Sequence, residues 1–265
     1  MNVNARMRRR GYYRGPISGL TGNQLKIIGV MAMLADHIGA VIIQSGILHA
    51  REPLMYSMII ATPEGHRWML IGRVCRFAGR LAFPIFAYLL VEGFAHTRSR
   101  LRYALSLGIL ALAAEVPFDL AVYNNWFHPA YQNAVFTLLI GLLVLCIVDY
   151  FDNLPLQLVL IAAGCGLSWV VKSDYNVLGV LLIAGLYMFR RNDTAQLVCG
   201  IALSALESVG YFCISALAYV PIVLYNGRRG ASGLKYVFYA FYPIHLLVLY
   251  AAAKWFSVYG AKLIQ

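Results

Sequence analysis

Histidine is the side chain that titrates near neutral pH, and His37 and His245 each fall inside a long apolar stretch beside other polar groups. His37 directly follows Asp36, and His245 closes the segment Phe238-Tyr-Ala-Phe-Tyr242-Pro243-Ile-His245. Arg73, Arg76 and Arg80 recur about one helical turn apart ahead of Pro84 and Glu92, and Glu115 and Asp119 flank Pro117. These groups suit three tasks. A neutral imidazole accepts a proton, a guanidinium holds an anion or a developing oxyanion, and a carboxylate orients either one. A charge at mid-bilayer costs at least about 2.5 kcal/mol, so each such group needs a partner or a task.

The stretches that carry them place them at one level. At about 1.5 Å per residue, His37 lies about 18 Å into its stretch, Arg80 about 16 Å, Glu115 about 20 Å and His245 about 14 Å. Asp36 and His37 are neighbours in the chain, so on a helix they diverge by about 100° and two different elements must receive them. The face around Asp36 carries Gly29, Ala32, Gly39 and Ala40, small residues that let another helix approach closely. Asp36 is therefore expected to meet an arginine there. The face around His37 carries Met33, Leu34 and Val41, a bulkier wall suited to a cavity, which makes His37 the expected general base.

Pro84 cannot donate to the carbonyl of Arg80, so the second stretch should bend there and leave that carbonyl free. Glu92 has two readings, an ion pair with Arg98 or Arg100 and a place in the site. Glu115 and Asp119 share a helix face and are expected to neutralise the arginine face. Tyr242 and His245, three residues apart, shape one pocket wall. The loop Asn226-Gly-Arg228-Arg229-Gly230, with Lys235 beyond it, suits phosphates and lipid head groups equally.

The positioning elements follow from composition. Of 265 residues, 61% are hydrophobic and only 12% charged, against about 25% charged in soluble domains. This is the composition of an all-α, polytopic transmembrane helix bundle. Apolar runs read against the bilayer thickness give about nine spans, near 24–47, 69–95, 102–123, 133–150, 155–171, 175–190, 194–208, 210–226 and 236–257. Only Glu207-Ser208-Val209-Gly210 separates the seventh from the eighth, so the two can also form one bent or re-entrant element.

Arg98, Arg100 and Arg102, then Arg190 and Arg191, then Arg228, Arg229 and Lys235 alternate with loops poor in basic residues, which places the N-terminus in the cytoplasm. Residues 1–23 read as a basic cytoplasmic tail and residues 24–265 as a single membrane domain. The excess of 22 Lys+Arg over 11 Asp+Glu thus encodes orientation among membrane lipids, and nucleic acid is not an expected partner. The five cysteines are scattered through apolar runs without ligand spacing, so neither disulfides nor a metal is expected.

A histidine, arginines and carboxylates beside kinked helices, with a basic entrance, fit two classes of protein. In a membrane acyltransferase, arginines hold a polyanionic acyl-CoA, a histidine deprotonates the acceptor and a cation stabilises the oxyanion. In a proton-coupled transporter, the same groups form a relay and a substrate site.

The segments Leu25-Lys-Ile-Ile-Gly-Val-Met-Ala-Met-Leu-Ala-Asp36-His37, Gly79-Arg80-Leu-Ala-Phe-Pro-Ile-Phe-Ala-Tyr-Leu-Leu-Val-Glu92, Glu115-Val-Pro-Phe-Asp119 and Tyr239-Ala-Phe-Tyr-Pro-Ile-His245 resemble the signature segments of the TraX family. Asn133-Ala-Val-Phe-Thr137 and Tyr225-Asn-Gly-Arg-Arg-Gly230 match in order between them. The resemblance covers nearly all of the chain after Gln24. It implies acetylation of the N-terminus of a conjugative pilin, acetyl-CoA as donor and a bacterial inner-membrane location. A more distant similarity to membrane acyltransferases that O-acetylate surface glycans implies a glycan or lipid as the alternative acceptor. By resemblance, Asp36, His37, Arg80, Glu92, Glu115 and His245 occupy motif positions. Their chemistry makes His37 the base and Arg80 the group on the thioester or oxyanion, with Asp36, Glu115 and Asp119 holding the arginines. Arg73, Arg76, Tyr242, Arg228, Arg229 and Lys235 are then the candidates for holding the donor.

Overall fold

A capping box opens the first helix. Thr21 Oγ1 accepts from the Gln24 amide at 3.3 Å and the Gln24 side chain accepts from the Thr21 amide at 2.8 Å, satisfying two amides that a helix start leaves unpaired. In the computed structural model, which describes residues 19–230 and 235–259, this helix, α1 (Gly22–His37), runs straight into a π-helical segment, Ile38–Ile47. The chain continues through α2 (Pro53–Ile60), α3 (Pro63–Gly79), α4 (Ala82–His96) and α5 (Arg100–Phe118), which passes into a second π-helical segment, Asp119–Tyr123. Next come α6 (Ala134–Val148), α7 (Leu154–Val171), α8 (Asn176–Met188), α9 (Asp193–Glu207), the short α10 (Tyr219–Val223) and α11 (Lys235–Tyr259). Side-chain oxygens of Thr62, Ser99, Asn133, Asn153 and Asn192 cap five of these starts. Among the described residues there is no strand, only the isolated bridges Leu20 to Tyr225 and Gln132 to Ser173. Most of the 1–23 tail and the side chain of Lys235 lie outside the described residues.

Among the described residues, five helical stretches are long and apolar enough to cross a membrane: Gly22–Ile47, Pro63–His96, Arg100–Tyr123, Leu154–Val171 and Val237–Val258. The other four of the nine expected spans are shorter or broken. At about 1.5 Å per residue, α6, α8 and α9, with 15, 13 and 15 residues, reach only about 20 Å. The 210–226 stretch never becomes a span. After Glu207 the chain makes two 3₁₀ turns, Val209–Tyr211 and Ile214–Ala218, around Phe212 and Cys213, both with positive φ, and returns through α10. Side-chain hydroxyls replace the missing helical bonds, because Ser208 Oγ donates to the Ser204 carbonyl at 2.9 Å and accepts from the Ser215 amide at 3.1 Å. The bent-element reading of this region is the one the chain adopts.

The second stretch does bend where expected. α3 stops at Gly79, Arg80 and Leu81 form a turn, and α4 starts at Ala82 with Pro84 in its first turn, where the missing N–H costs nothing. α8 is the buried centre of the bundle, with Ile183 and Leu186 fully enclosed, and it packs on α4, α6, α7 and α9. The Asp149 carboxylate ties the ends of these helices together by accepting from Arg100 and Tyr187 and lying 3.8 Å from Arg190.

Candidate active site

α1 and α3 approach closely because glycine faces α1: a Cβ on Gly79 would sit 2.2 Å from the Asp36 Cβ. The small-residue face of α1 thus does what its composition implies. Asp36 accepts from Arg76 at 2.5 Å and lies 3.4 Å from Arg80, whose guanidinium also reaches Glu207 at 3.7 Å and stacks over Tyr211 at 4.7 Å. Ser215 Oγ donates to Glu207 at 3.0 Å. Asp36 is therefore the anchor of the arginine pair, and the tip of the α9–α10 turn completes it.

His37, on the next residue, faces the other way. Its Nδ1 lies 2.7 Å from Nε2 of His245 on α11, and His245 Nδ1 lies 2.8 Å from the Phe241 carbonyl. A carbonyl only accepts, so His245 carries its proton on Nδ1 and offers a lone pair at Nε2. His37 must then donate from Nδ1, which leaves its own Nε2 unprotonated. Both rings are buried, and Tyr242 packs against them with centroids 6.1 Å and 5.7 Å away.

A cavity of about 870 Å³ lies between α1, α4, α5, α6 and α11. Its inner end is lined by Asp36, His37, Asp174, Tyr175 and Tyr242, and its other end by Lys26, His96, Arg98, Arg102 and Arg229. Met33, Phe86, Leu89, Leu107 and Leu138 form an apolar throat between them. Lys26 and His37 lie on one helix about 16 Å apart along its axis. The basic mouth is closed by backbone bonds from the start of α1 to the glycine-flanked loop: the Gly22 and Asn23 amides donate to the Arg228 and Arg229 carbonyls at 2.8 Å and 3.1 Å, and the Asn226 side chain donates to the Gly19 carbonyl at 2.7 Å.

Several expected placements change. Arg73 is exposed on α3 and Arg76 is spent on Asp36; neither lines the cavity, so neither meets a ligand at its mouth. The reason is helical phase: Gly72, Cys75 and Arg76 face α1, which turns Arg73 outward. Arg80 also stands behind Asp36 and outside the cavity lining, so it positions Asp36. Arg228 is exposed beside the mouth, whereas Arg229 lines it.

Glu115 and Asp119 do not neutralise the arginines. Glu115 accepts from the Asn133 side chain at 2.5 Å and backbone at 3.3 Å, and Asp119 accepts from the His128 amide at 2.6 Å, so both brace the 124–133 loop. Glu92 forms no pair with Arg98 or Arg100; it lines the cavity, 3.6 Å from His96 and 3.4 Å from the Tyr225 hydroxyl.

The sequence reading passed over Glu207, Asp174 and Tyr175. Glu207 interrupts an apolar run, and that alone marks a buried partner for a cation. Asp174 sits in Lys172-Ser173-Asp174-Tyr175, which reads as an ordinary loop. The loop is instead drawn inward by a hydroxyl chain, with Thr137 Oγ1 2.9 Å from Ser173 Oγ and Ser173 Oγ 2.6 Å from Ser168 Oγ, and by Tyr175 stacked on Phe83 at 3.7 Å.

These features define a helical bundle of membrane-crossing composition with a reaction-sized chamber between a cationic mouth and a histidine pair. The chain belongs to the TraX protein family, whose sequence profile matches residues 21–252. It is also similar to a probable fimbrial assembly protein, FimC of serogroup H1, from Dichelobacter nodosus, with 28% identity over 251 residues covering 86% of this chain and 94% of that protein. No solved structure matches the chain.

Proposed function

We propose that the protein is an acetyltransferase of the bacterial inner membrane. It takes an acetyl group from cytosolic acetyl-CoA and gives it to an amine or hydroxyl of a membrane-held acceptor, a pilin-like protein. One observation carries the reading: a single cavity joins the cationic mouth to the free Nε2 of His37. Lys26, Arg98, Arg102 and Arg229 suit the phosphates of coenzyme A, and the apolar throat suits an extended pantetheine arm that brings the thioester to the inner end. The relationship to a fimbrial assembly protein supports a pilin-like acceptor.

At that end His37 Nε2 removes the proton of the attacking group as it adds to the thioester carbon. The hydroxyls of Tyr175 and Tyr242 are the donors available to the oxyanion. Collapse breaks the C–S bond, and the departing thiolate recovers the proton from His37. His245 and the Phe241 carbonyl keep the His37 ring in the tautomer this needs, the service a carboxylate renders in a hydrolase triad. Arg76, Arg80 and Glu207 act one layer further out by fixing Asp36, the residue next to His37.

Purified protein in detergent, given radiolabelled acetyl-CoA and membrane extract, should label an acceptor. His37→Ala should abolish labelling while the variant keeps its thermal transition and its affinity for coenzyme A. Full labelling by His37→Ala would remove histidine from the mechanism.

A further inference from the structure

Arg73 lies inside a stretch of membrane-crossing composition, Pro63–His96, yet its side chain is exposed and has no partner among the described residues. Its neighbours fix its level along the bundle. A Cβ on Gly72 would lie 4.0 Å from Gln44 Cγ, and Gln44 stands within a turn of Ile47, the end of the first long stretch. At the same end Gly46 packs on α11, where a Cβ would meet Ala253 at 3.1 Å, and this brings Lys254 and the exposed Trp255 to the same level. Basic and tryptophan side chains gathered at one level mark the boundary between acyl chains and head groups. What lies beneath Arg73 sets it apart. Arg73 and Phe77 share a helix face at i and i+4, and Phe77 rests on Tyr211 and Phe212 with ring centroids 5.6 Å and 6.1 Å away. Those two rings belong to the turn where the chain reverses after α9, so no long helix from that side rises past Phe77. Leu70, Ile71 and Val74 are left exposed around Arg73, and Phe212 is 87% exposed below it. Glu207, the carboxylate of the turn, is taken by Arg80 and Ser215.

We propose that α3 and the turn after α9 form a binding site for a phospholipid with an anionic head group, in which Arg73 takes the phosphate and Val74, Phe77 and Phe212 receive an acyl chain. A guanidinium above an apolar trough, at the depth where phosphates meet hydrocarbon, is complementary to that molecule in charge and in shape. A lipid seated there also covers the open side of the turn that carries Glu207 and Tyr211, the two groups that hold Arg80 behind Asp36. The membrane thus steadies the outer layer of the site. This inference stands apart from the acetyl-transfer reading, because it uses no residue of the cavity lining and no donor or acceptor.

The test places purified protein in phosphatidylcholine nanodiscs with rising fractions of phosphatidylglycerol and follows the thermal midpoint, while native mass spectrometry reads the lipid retained in detergent. Wild-type protein should retain phosphatidylglycerol over phosphatidylcholine, and its midpoint should rise with the phosphatidylglycerol fraction. Arg73→Leu should match the wild-type midpoint in pure phosphatidylcholine, bind phosphatidylglycerol roughly tenfold or more weakly, as loss of a charge-assisted contact implies, and lose the rise. Arg73→Lys should keep part of both, since an ammonium is a point charge without the fork. Phe212→Ala should weaken retention with Arg73 in place. Arg67→Leu, on a face of α3 about 120° away, should behave as the wild type. Equal retention by wild type and Arg73→Leu, an equal loss in Arg67→Leu, or no preference of the wild type for phosphatidylglycerol would overturn the assignment. A protein that co-purifies with the wild type, is released by Arg73→Leu and leaves no lipid at the site would overturn it in favour of a partner helix. None of these results bears on whether acetyl-CoA is the donor.

Discussion

Proton positions at His37 are set by a carbonyl two steps away. Because the Phe241 oxygen cannot donate, the His245 and His37 rings are locked into one tautomeric order that leaves the lone pair on Nε2 of His37, a residue that lines the cavity. Replacing His245 by Ala leaves His37 without its acceptor, so the ring is free to rotate and to carry its proton on either nitrogen. The expected result is a fall in kcat of about 100-fold or more with KM for acetyl-CoA unchanged; equal kcat in variant and wild type would show that His245 is packing alone. At this scale the sequence was readable where one helix decides the outcome. Asp36 and His37 had to diverge, and they do. It was unreadable where a partner comes from elsewhere in the chain, since spacing says that Glu115 and Asp119 share a face but not that Asn133 and His128 lie opposite it.

Two interruptions in regular helix create the site. The Arg80–Leu81 turn separates α3 from α4, and from it Arg80 reaches both Asp36 at 3.4 Å and Glu207 at 3.7 Å. The turn after α9 brings Glu207 and Tyr211 to the same point. Pro84 announced the first interruption; for the second, the short polar break Glu207-Ser208-Val209-Gly210 admitted a bent element but the apolar count admitted a span equally, and only packing decides between them. Gly79 is the element-level test, because a Cβ there meets the Asp36 side chain and the backbones must separate. Gly79→Ala should cost about 1–3 kcal/mol, the usual range for overpacking, seen as a lower thermal midpoint in detergent and a parallel loss of acetyl transfer. An unchanged midpoint would mean that α1 and α3 tolerate wider spacing.

Across the whole molecule the cations are sorted by end. Arg98 and Arg102 come from one stretch and Arg229 from another far along the chain, and they reach one mouth, while Arg76 and Arg80 are consumed within the bundle. Neutralising Arg98, Arg102 and Arg229 together should raise KM for acetyl-CoA about tenfold or more, leave kcat for bound donor unchanged, and flatten the dependence of KM on salt. A triple variant with wild-type KM would move the donor elsewhere. The bundle-wide composition disclosed helices of membrane-crossing character, but the sorting of arginines into mouth-lining groups and internal anchors depends on helix phase and on contacts between distant stretches.

The seam that joins Gly22 and Asn23 to Arg228 and Arg229 links the beginning of α1 to residues made late in synthesis, and His37 likewise waits for His245. A ribosome-bound chain with its first helices already inserted has neither a finished mouth nor an oriented base. Whatever chemistry the chamber performs is thereby withheld until translation is almost over, so an incomplete chain in the membrane holds no finished site.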